Sequence, residues 1–243
     1  MRSLASVICS AGPSSARSTR ISGDSVIGTL SLSVPFMGGY CPREAMAASS
    51  KFIWVVRHAE TECSASGRHT GRTDIRLTAE GEAKARGLAA MLKRERFDLV
   101  LSSPARRAMD TARLAGVGAL SQVDDDLAEW DYGDYEGLRT SEIDAMRSGW
   151  DLWRDGCPGG ESIDSVARRA ARVLGRCQTS QGNALLFSHG HFSRMLAASW
   201  LQLPPSRGRS FGLKAGSVSI LGFEHANPVI WQWDLVDSFE GGR

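Results

Sequence analysis

The sequence predicts a single three-layer α/β domain over residues 51–236, with a mostly parallel sheet flanked by helices. Apolar segments of strand length alternate with segments of helical periodicity, which is the pattern of a sheet covered by crossover helices. The length of 243 residues suits one substantial domain with a tail. A hydrophobic content of 42% with seven tryptophans is ample for a packed core. No apolar run approaches the ~20 residues of a membrane-spanning helix.

The first elements are predicted from apolar runs and capping residues. Residues 52–56 are continuously apolar and have the length of a buried strand. Thr78 suits a helix N-cap, so a helix is expected over about 79–94. A second strand at 99–101 leads to Pro104. This proline is expected in the first turn of a helix that ends near residue 114, where a missing N–H costs little.

The middle of the chain, residues 116–162, is predicted to be rich in loops and short helices. It holds Trp130, Trp150 and Trp153. The last two are expected in the core or in a lid, with sugar stacking as the alternative. A long helix is predicted to follow at about 163–177.

The third strand is predicted at 184–187 and the next helix at about 192–201, ended by Pro204-Pro205. The remaining alternation indicates a hairpin about Ala226-Asn227-Pro228, with strands at 217–223 and 229–235.

Residues 1–50 and the short tail at 237–243 lie outside the predicted domain. The first segment is rich in Ser, Gly and Arg and poor in acids, as organellar transit peptides are. A secretory signal is a weaker match. A third alternative, which we prefer slightly, is an upstream start codon with Met46 as the natural beginning. In each case we expect a disordered, dispensable extension.

Composition excludes several classes of partner. The formal net charge is only +2, and the arginines are spread along the chain without adjacent stacking aromatics, so no nucleic-acid partner is predicted. Five widely spaced cysteines without a C-x-x-C pair support neither a disulfide framework nor a zinc knuckle. We therefore expect a cytoplasmic protein, with organellar targeting by residues 1–50 left open. The oligomeric state is also left open, a homodimer being one option.

Basic side chains follow three of the predicted strands. Arg57-His58 ends the first strand, Ser102-Ser103 leads from the second strand towards Arg107, and Ser188-His189 ends the third. An open α/β sheet binds ligands at the carboxyl ends of its strands. The start of the helix after the second strand should add free backbone N–H groups that suit an anion. Because four basic groups at adjacent strand ends would repel one another, we expect a dianionic phosphoryl group between them.

Together these residues resemble the histidine phosphatase superfamily, the phosphoglycerate-mutase-like group, over residues 51–236. Within it, the stretches 130–137 and 156–162 resemble bacterial acid phosphatases and fungal sugar bisphosphatases. The matching motifs are Arg57-His58-Ala59-Glu60-Thr61, Thr70-Gly71-Arg72-Thr73-Asp74, Ser102-Ser103-Pro104 with Arg107-Ala108, Leu127-Ala128-Glu129-Trp130-Asp131-Tyr132-Gly133 with Glu136-Gly137-Leu138, and Ser188-His189-Gly190.

The resemblance implies a phosphomonoesterase that acts on a small phosphorylated metabolite such as a sugar phosphate. His58 would be the nucleophile and form a phosphohistidine, while Arg57, Arg107 and His189 would hold the phosphoryl oxygens. Glu129 would protonate the leaving group and then activate water. With the cations supplied by side chains, no metal or other cofactor is predicted. The expected substrate-binding set is completed by four residues: Ser64, Thr70, Gly71 and Gly190.

Some positions depart from the family pattern. Ala59 replaces the usual glycine after the nucleophile, and Ser64 stands where many members have asparagine. Trp130-Asp131 replaces the basic pair of the glycolytic mutases, and the following insert is shorter. These departures count against the alternative of a bisphosphoglycerate-dependent mutase. A non-catalytic phospho-ligand binding module is the other alternative, and the complete residue set counts against it.

Two further features have open roles. His69 and His191 could form a metal site with Glu60 and the two strand-end histidines, but the neighbouring arginines would repel a divalent cation. We expect His191 to line the pocket or orient the leaving group. Cys63 is predicted to be an inert wall residue, with a reactive thiol as the alternative.

Overall fold

The computed structural model describes residues 51–236. Within that range, one sheet contains β1 (Ile53–Arg57), β2 (Leu99–Ser102), β3 (Gln122–Val123), β4 (Ala184–Ser188), β5 (Val218–Glu224) and β6 (Asn227–Leu235). The spatial order is β3-β2-β4-β1-β5-β6. The first four strands in that order pair in parallel, whereas the β1–β5 and β5–β6 pairs are antiparallel.

In the described part of the chain, seven α-helices connect or cover these strands: α1 (Glu62–Ser66), α2 (Ala79–Leu92), α3 (Arg106–Leu114), α4 (Thr140–Met146), α5 (Leu152–Asp155), α6 (Ile163–Thr179) and α7 (Gly190–Trp200). Short 3-10 helices occupy Gly118–Leu120, Asp125–Leu127, Gly133–Tyr135 and Pro205–Ser210. The predicted helix at residues 79–94 does start after Thr78, whose hydroxyl accepts the N–H of Gly81.

The core confirms the predicted three layers. Alternate residues of β1 face opposite sides of the sheet: Trp54 and Val56 pack with apolar residues of α2 and α3, while Ile53 and Val55 pack with those of α6 and α7. The buried tryptophans Trp130, Trp150 and Trp153 belong to the second of these two layers. Helices on both faces keep the strands buried, so the polar strand ends are left for a site.

Three predicted boundaries are wrong. Pro104 precedes α3, whose N-cap is Ala105, because the Ser103 hydroxyl accepts the Ala105 N–H and holds the proline in a turn before the helix. Helix α7 begins at Gly190, two residues earlier than expected. The hairpin turns at His225-Ala226, so Pro228 lies within β6, an edge strand, where its missing N–H is tolerated.

The predictions for residues 1–50 and 237–243 lie outside the described residues. Across residues 51–236, we find no helix with the length and apolar character needed to cross a bilayer.

Candidate active site

Three neighbouring strands bring the predicted residues to one place. β2, β4 and β1 are adjacent, and they end at Ser102, Ser188 and Arg57. The His58 N–H donates to the carbonyl of Ser188 at 2.8 Å, which joins two of the strand ends directly. The ring centroids of His58 and His189 are 5.1 Å apart. The predicted convergence of strand ends is therefore observed.

His58 is fixed as a neutral imidazole. Its Nδ1 lies 2.8 Å from the carbonyl oxygen of Ala59, and because a carbonyl can only accept, Nδ1 carries the proton. Burial, followed by the guanidinium groups of Arg107 and Arg57, holds the pKa of His58 well below its ordinary value. Nε2 therefore keeps its lone pair. The Ala59 methyl is fully buried and its backbone has no positive φ, so this departure from glycine causes no strain.

Arg107 is almost completely buried, with 1% of its surface exposed. Nη1 donates to the carbonyl of Thr73 at 2.9 Å, and Nη2 donates to the carbonyls of Thr70 and Gly71 at 3.0 and 3.1 Å. Nε donates to Nδ1 of His189 at 3.2 Å. All these partners are neutral, so the guanidinium charge is unbalanced by its direct contacts. Burial accordingly lowers the Arg107 pKa, an effect that Glu129 partly opposes.

His189 lies behind Arg107. Since Nδ1 accepts from Arg107, Nε2 carries the ring proton and faces the Ser103 hydroxyl at 2.7 Å. The imidazole is fully buried, and burial lowers its pKa well below the ordinary value. The contacts show His189 orienting Arg107, whereas its direct contact with a phosphoryl oxygen stays a prediction.

Arg57 supplies the second guanidinium. Nη1 donates to the carbonyl of Leu213, and Nε is buried without a partner among the described residues. The Arg57 guanidinium packs directly against the backbone of Gly190, where a Cβ would lie 3.4 Å from the Arg57 Cζ. The buried Nε–H is a donor that an anion could use.

The side chain of Glu129 lies against the N-terminus of α7. One carboxylate oxygen, Oε1, accepts the N–H groups of Trp130 and Phe192, both at 2.9 Å, and Oε2 accepts the N–H of His191 at 3.0 Å. The helix N-terminus therefore holds a carboxylate of the protein itself. Oε2 has one protein partner and retains acceptor capacity towards the cavity.

A cavity of about 170 Å³ lies above these groups. Of the predicted residues, Arg57, His58, Ser64, Thr70, Arg107, Glu129, Gly190 and His191 line it, together with Thr61, Gly67, Arg68, His69, Tyr132, Arg194 and Leu213. His189, Gly71, Trp150 and Trp153 are not in its lining.

Two predicted substrate ligands have other partners. The Gly71 N–H lies 3.0 Å from both carboxylate oxygens of Glu136, and Oε1 of that carboxylate also accepts the N–H and the hydroxyl of Thr73. The Ser64 hydroxyl belongs to the capping box of α1, accepting from the Thr61 N–H and donating to its carbonyl. At the start of α3, where free N–H groups were predicted to suit an anion, the Arg106 N–H is already bound by the Asp74 carboxylate at 2.8 Å.

The far wall of the cavity is aromatic. The Tyr132 hydroxyl lies 2.6 Å from Nδ1 of His191, and His69 packs 4.9 Å from the Tyr132 ring. Burial lowers the pKa of both His69 and His191. In residues 51–236, no three His, Cys, Asp or Glu side chains gather as a metal site would require. Cys63 has a free thiol in α1, and its role stays a prediction.

Three arginines of this region were missed from the sequence: Arg68, which lines the cavity, Arg194 and Arg169. Arg194 is one helical turn after Gly190 on α7, a spacing that does indicate a shared face. Arg169, on α6, contacts the backbone of Glu129 and left no signal in the sequence, because the two residues are brought together only by the tertiary fold.

The fold and site define an α/β enzyme with a cationic cavity for a phosphoryl group. The chain belongs to the histidine phosphatase superfamily (branch 1), whose family model matches residues 53–235. It is 42% identical over 184 residues to an acid phosphatase of Mycobacterium tuberculosis, covering 74% of this chain and 90% of that protein. It is 37% identical over 182 residues to the sedoheptulose 1,7-bisphosphatase of Saccharomyces cerevisiae, covering 61% and 67%.

Solved structures agree. A Mycobacterium tuberculosis protein matches with a TM-score of 0.74 and 38% identity, covering 77% of this chain and 99% of that chain. A mycobacterial glucosyl-3-phosphoglycerate phosphatase, solved with VO3, matches with a TM-score of 0.69 and 29% identity, covering 76% and 99%. These relatives confirm the prediction of a phosphoric monoester hydrolase of this superfamily.

Proposed function

We propose that the protein hydrolyses small phosphorylated metabolites without a metal, through a phosphohistidine on His58. The observation that carries this proposal is the protonation of that ring: Nδ1–H is held by the Ala59 carbonyl, which leaves the Nε2 lone pair free in a cavity whose lining includes Arg57 and Arg107. A neutral imidazole is the form that attacks phosphorus.

Arg57 and Arg107 would supply the charge that a divalent cation supplies elsewhere. Both line the cavity, and burial lowers the pKa of each, which indicates that a bound anion would relieve a desolvation cost. In the loose transition state of phosphoryl transfer, charge is spread over the equatorial oxygens. Guanidinium donors fixed beforehand stabilise that charge without reorganising.

Glu129 would act as acid and then as base. In the first step the bond from Nε2 of His58 to phosphorus forms, the ester P–O bond breaks, and the departing oxygen takes the proton of Glu129. In the second step Glu129 accepts a proton from water while that water displaces His58 and releases inorganic phosphate. The free acceptor capacity of Oε2 supports this role.

The substrate class is a small phosphorylated metabolite, such as a sugar phosphate. The cavity of about 170 Å³ suits a compact molecule. The relatives include phosphatases named for sedoheptulose bisphosphate and glucosyl-3-phosphoglycerate, which supports a sugar-derived alcohol as the leaving group. We also retain the prediction of a cytoplasmic location, which fractionation of cells would test.

The proposal is tested with p-nitrophenyl phosphate, chelator, vanadate and an alkaline-quench trap, since the P–N bond of a phosphohistidine survives alkali but not acid. We expect hydrolysis that is insensitive to chelator, inhibited by vanadate and lost in His58→Gln. Labelled phosphate should be trapped on the wild-type protein and on the control His225→Gln, whose histidine lies exposed at the hairpin turn. Activity abolished by chelator, or label absent from wild-type protein that turns over, would contradict the proposal. Rapid conversion of 3-phosphoglycerate to 2-phosphoglycerate would favour a mutase instead.

A further inference from the structure

Arg169 of α6 lies directly behind the segment that carries Glu129. Its Nη1 donates to the carbonyls of Asp126 and Ala128 at 2.7 and 2.8 Å, and its Nη2 lies 3.3 Å from the carbonyl of Glu129. Apart from the 3-10 turn at Asp125–Leu127, this segment has no regular secondary structure up to Gly133. The Arg169 guanidinium therefore supplies hydrogen bonds to backbone carbonyls that a strand or helix would otherwise satisfy.

Glu161 holds that guanidinium in a two-point fork. Nε of Arg169 donates to Oε1 at 2.9 Å and Nη2 donates to Oε2 at 2.6 Å. The pair is largely removed from solvent, with 11% and 21% of the two side chains exposed. Such a fork specifies orientation as well as attraction.

Glu161 also holds the backbone on the C-terminal side of Glu129. Its carboxylate accepts the Asp131 N–H at 3.3 Å, and its backbone carbonyl accepts the Trp130 indole N–H at 2.9 Å. The backbone on both sides of Glu129 is thus bonded to a single ion pair.

A third contact of Arg169 is with Phe192, a residue whose backbone holds the Glu129 carboxylate. Cζ of Arg169 lies 4.9 Å from the centre of the Phe192 ring, and the Phe192 N–H is one of the donors that hold Oε1 of Glu129. The same guanidinium therefore supports the backbone of Glu129 and the helix turn that orients its carboxylate. No part of Arg169 or Glu161 lines the cavity.

We propose that Arg169, oriented by Glu161, is a positioning residue that fixes the Glu129 carboxylate for proton transfer. This rests on the proposed role of Glu129. A misplacement of 1 Å can cost about 100-fold in rate, and proton transfer requires hydrogen-bond distance. Breaking the Arg169–Glu161 pair should therefore lower the rates of steps that need Glu129 as acid or base more than the rates of steps that do not.

The test compares Arg169→Lys and Glu161→Gln with the control Arg172→Lys, an exposed arginine on the same helix that pairs with Asp126. Single-turnover phosphorylation is measured with an alkyl phosphate, whose leaving group needs a proton, and with p-nitrophenyl phosphate, whose leaving group does not. We expect the alkyl-to-aryl rate ratio to fall about 10- to 100-fold in both variants, with KM little changed, and to stay at the wild-type value in the control. In a Glu129→Gln background the same substitutions should not lower the ratio further.

An equal loss on both esters, or an additive loss in the Glu129→Gln background, would overturn the proposal and leave the pair a purely structural one. Circular dichroism verifies the fold of each variant, and Glu161→Gln decides the question where Arg169→Lys is unfolded. The underlying function fails in a different way: in that case wild-type protein shows no phosphate trapped by alkaline quench, or Glu129→Gln itself leaves the ratio unchanged.

Discussion

Replacing Glu129 with glutamine should separate the two halves of the reaction. The carboxylate accepts three backbone N–H groups, from Trp130, His191 and Phe192. An amide in the same place has one oxygen to accept and turns its NH2 towards the remaining donor. One buried N–H then loses its acceptor, at a cost of about 1–3 kcal/mol in the free energy of unfolding. Each kcal/mol lowers Tm by about 2–4 °C.

The kinetic effect should depend on the leaving group. With an alkyl phosphate, the first step loses its proton donor and should slow by about 10²–10⁴-fold. With p-nitrophenyl phosphate the phenolate leaves unaided, so transfer to His58 should stay fast. Hydrolysis of the phosphohistidine loses its base and should slow by the same factor. The variant should therefore accumulate phosphoenzyme.

Stopped-flow absorbance of nitrophenolate tests this directly. Glu129→Gln should show a burst whose amplitude equals the concentration of active sites, followed by a slow steady state. The control Glu80→Gln, an exposed acid on α2, should keep wild-type kinetics. Equal slowing on both esters without a burst would refute the acid and base roles of Glu129.

Three further predictions follow from the contacts of the site. NMR titration of the free protein should find His58 still neutral as the pH falls through about 6.5, because its pKa is lowered; a midpoint near that value would contradict its proposed environment. His189 and His191 also have lowered pKa values, so on acidification the unfolded chain binds protons before the folded protein does. The free energy of unfolding should therefore fall as the pH drops below about 6.5, by up to about 1.4 kcal/mol per pH unit for each histidine. Denaturant unfolding at neutral and mildly acidic pH measures this, and unchanged stability would count against it. Glu136→Gln should loosen the 70–73 loop that Arg107 binds and weaken vanadate inhibition by about tenfold, whereas an unaltered inhibition constant would show that the loop does not depend on Glu136.

The parts of the fold with strong local signals were predictable from the sequence. β1 and β4 are continuous apolar runs, and Thr78 caps its helix as expected. β3 was missed because two exposed residues carry no periodicity, and it exists only through pairing with β2. α1 was missed because a five-residue helix depends on the capping box of Thr61 rather than on an apolar face.

The site likewise has a part that the sequence predicts and a part that it does not. The residues at strand ends were found because topology alone brings strand ends together: Arg57 is the last residue of β1, and His58 and His189 follow β1 and β4 immediately. The partners of individual N–H groups could not be predicted in this way. Gly71 was expected to bind phosphate, yet its N–H is satisfied by Glu136, which is 65 residues away in the chain. Nothing local in either sequence segment distinguishes these alternatives.

The fixed position of Arg107 also bears on product release. Its guanidinium is held by three carbonyls and an imidazole, so it loses little freedom when an oxyanion arrives. Inorganic phosphate carries the same oxygens as the phosphoryl group that is transferred, so the product would bind to the same preformed site. We therefore expect product inhibition by inorganic phosphate, so that the turnover rate depends on the phosphate concentration around the enzyme.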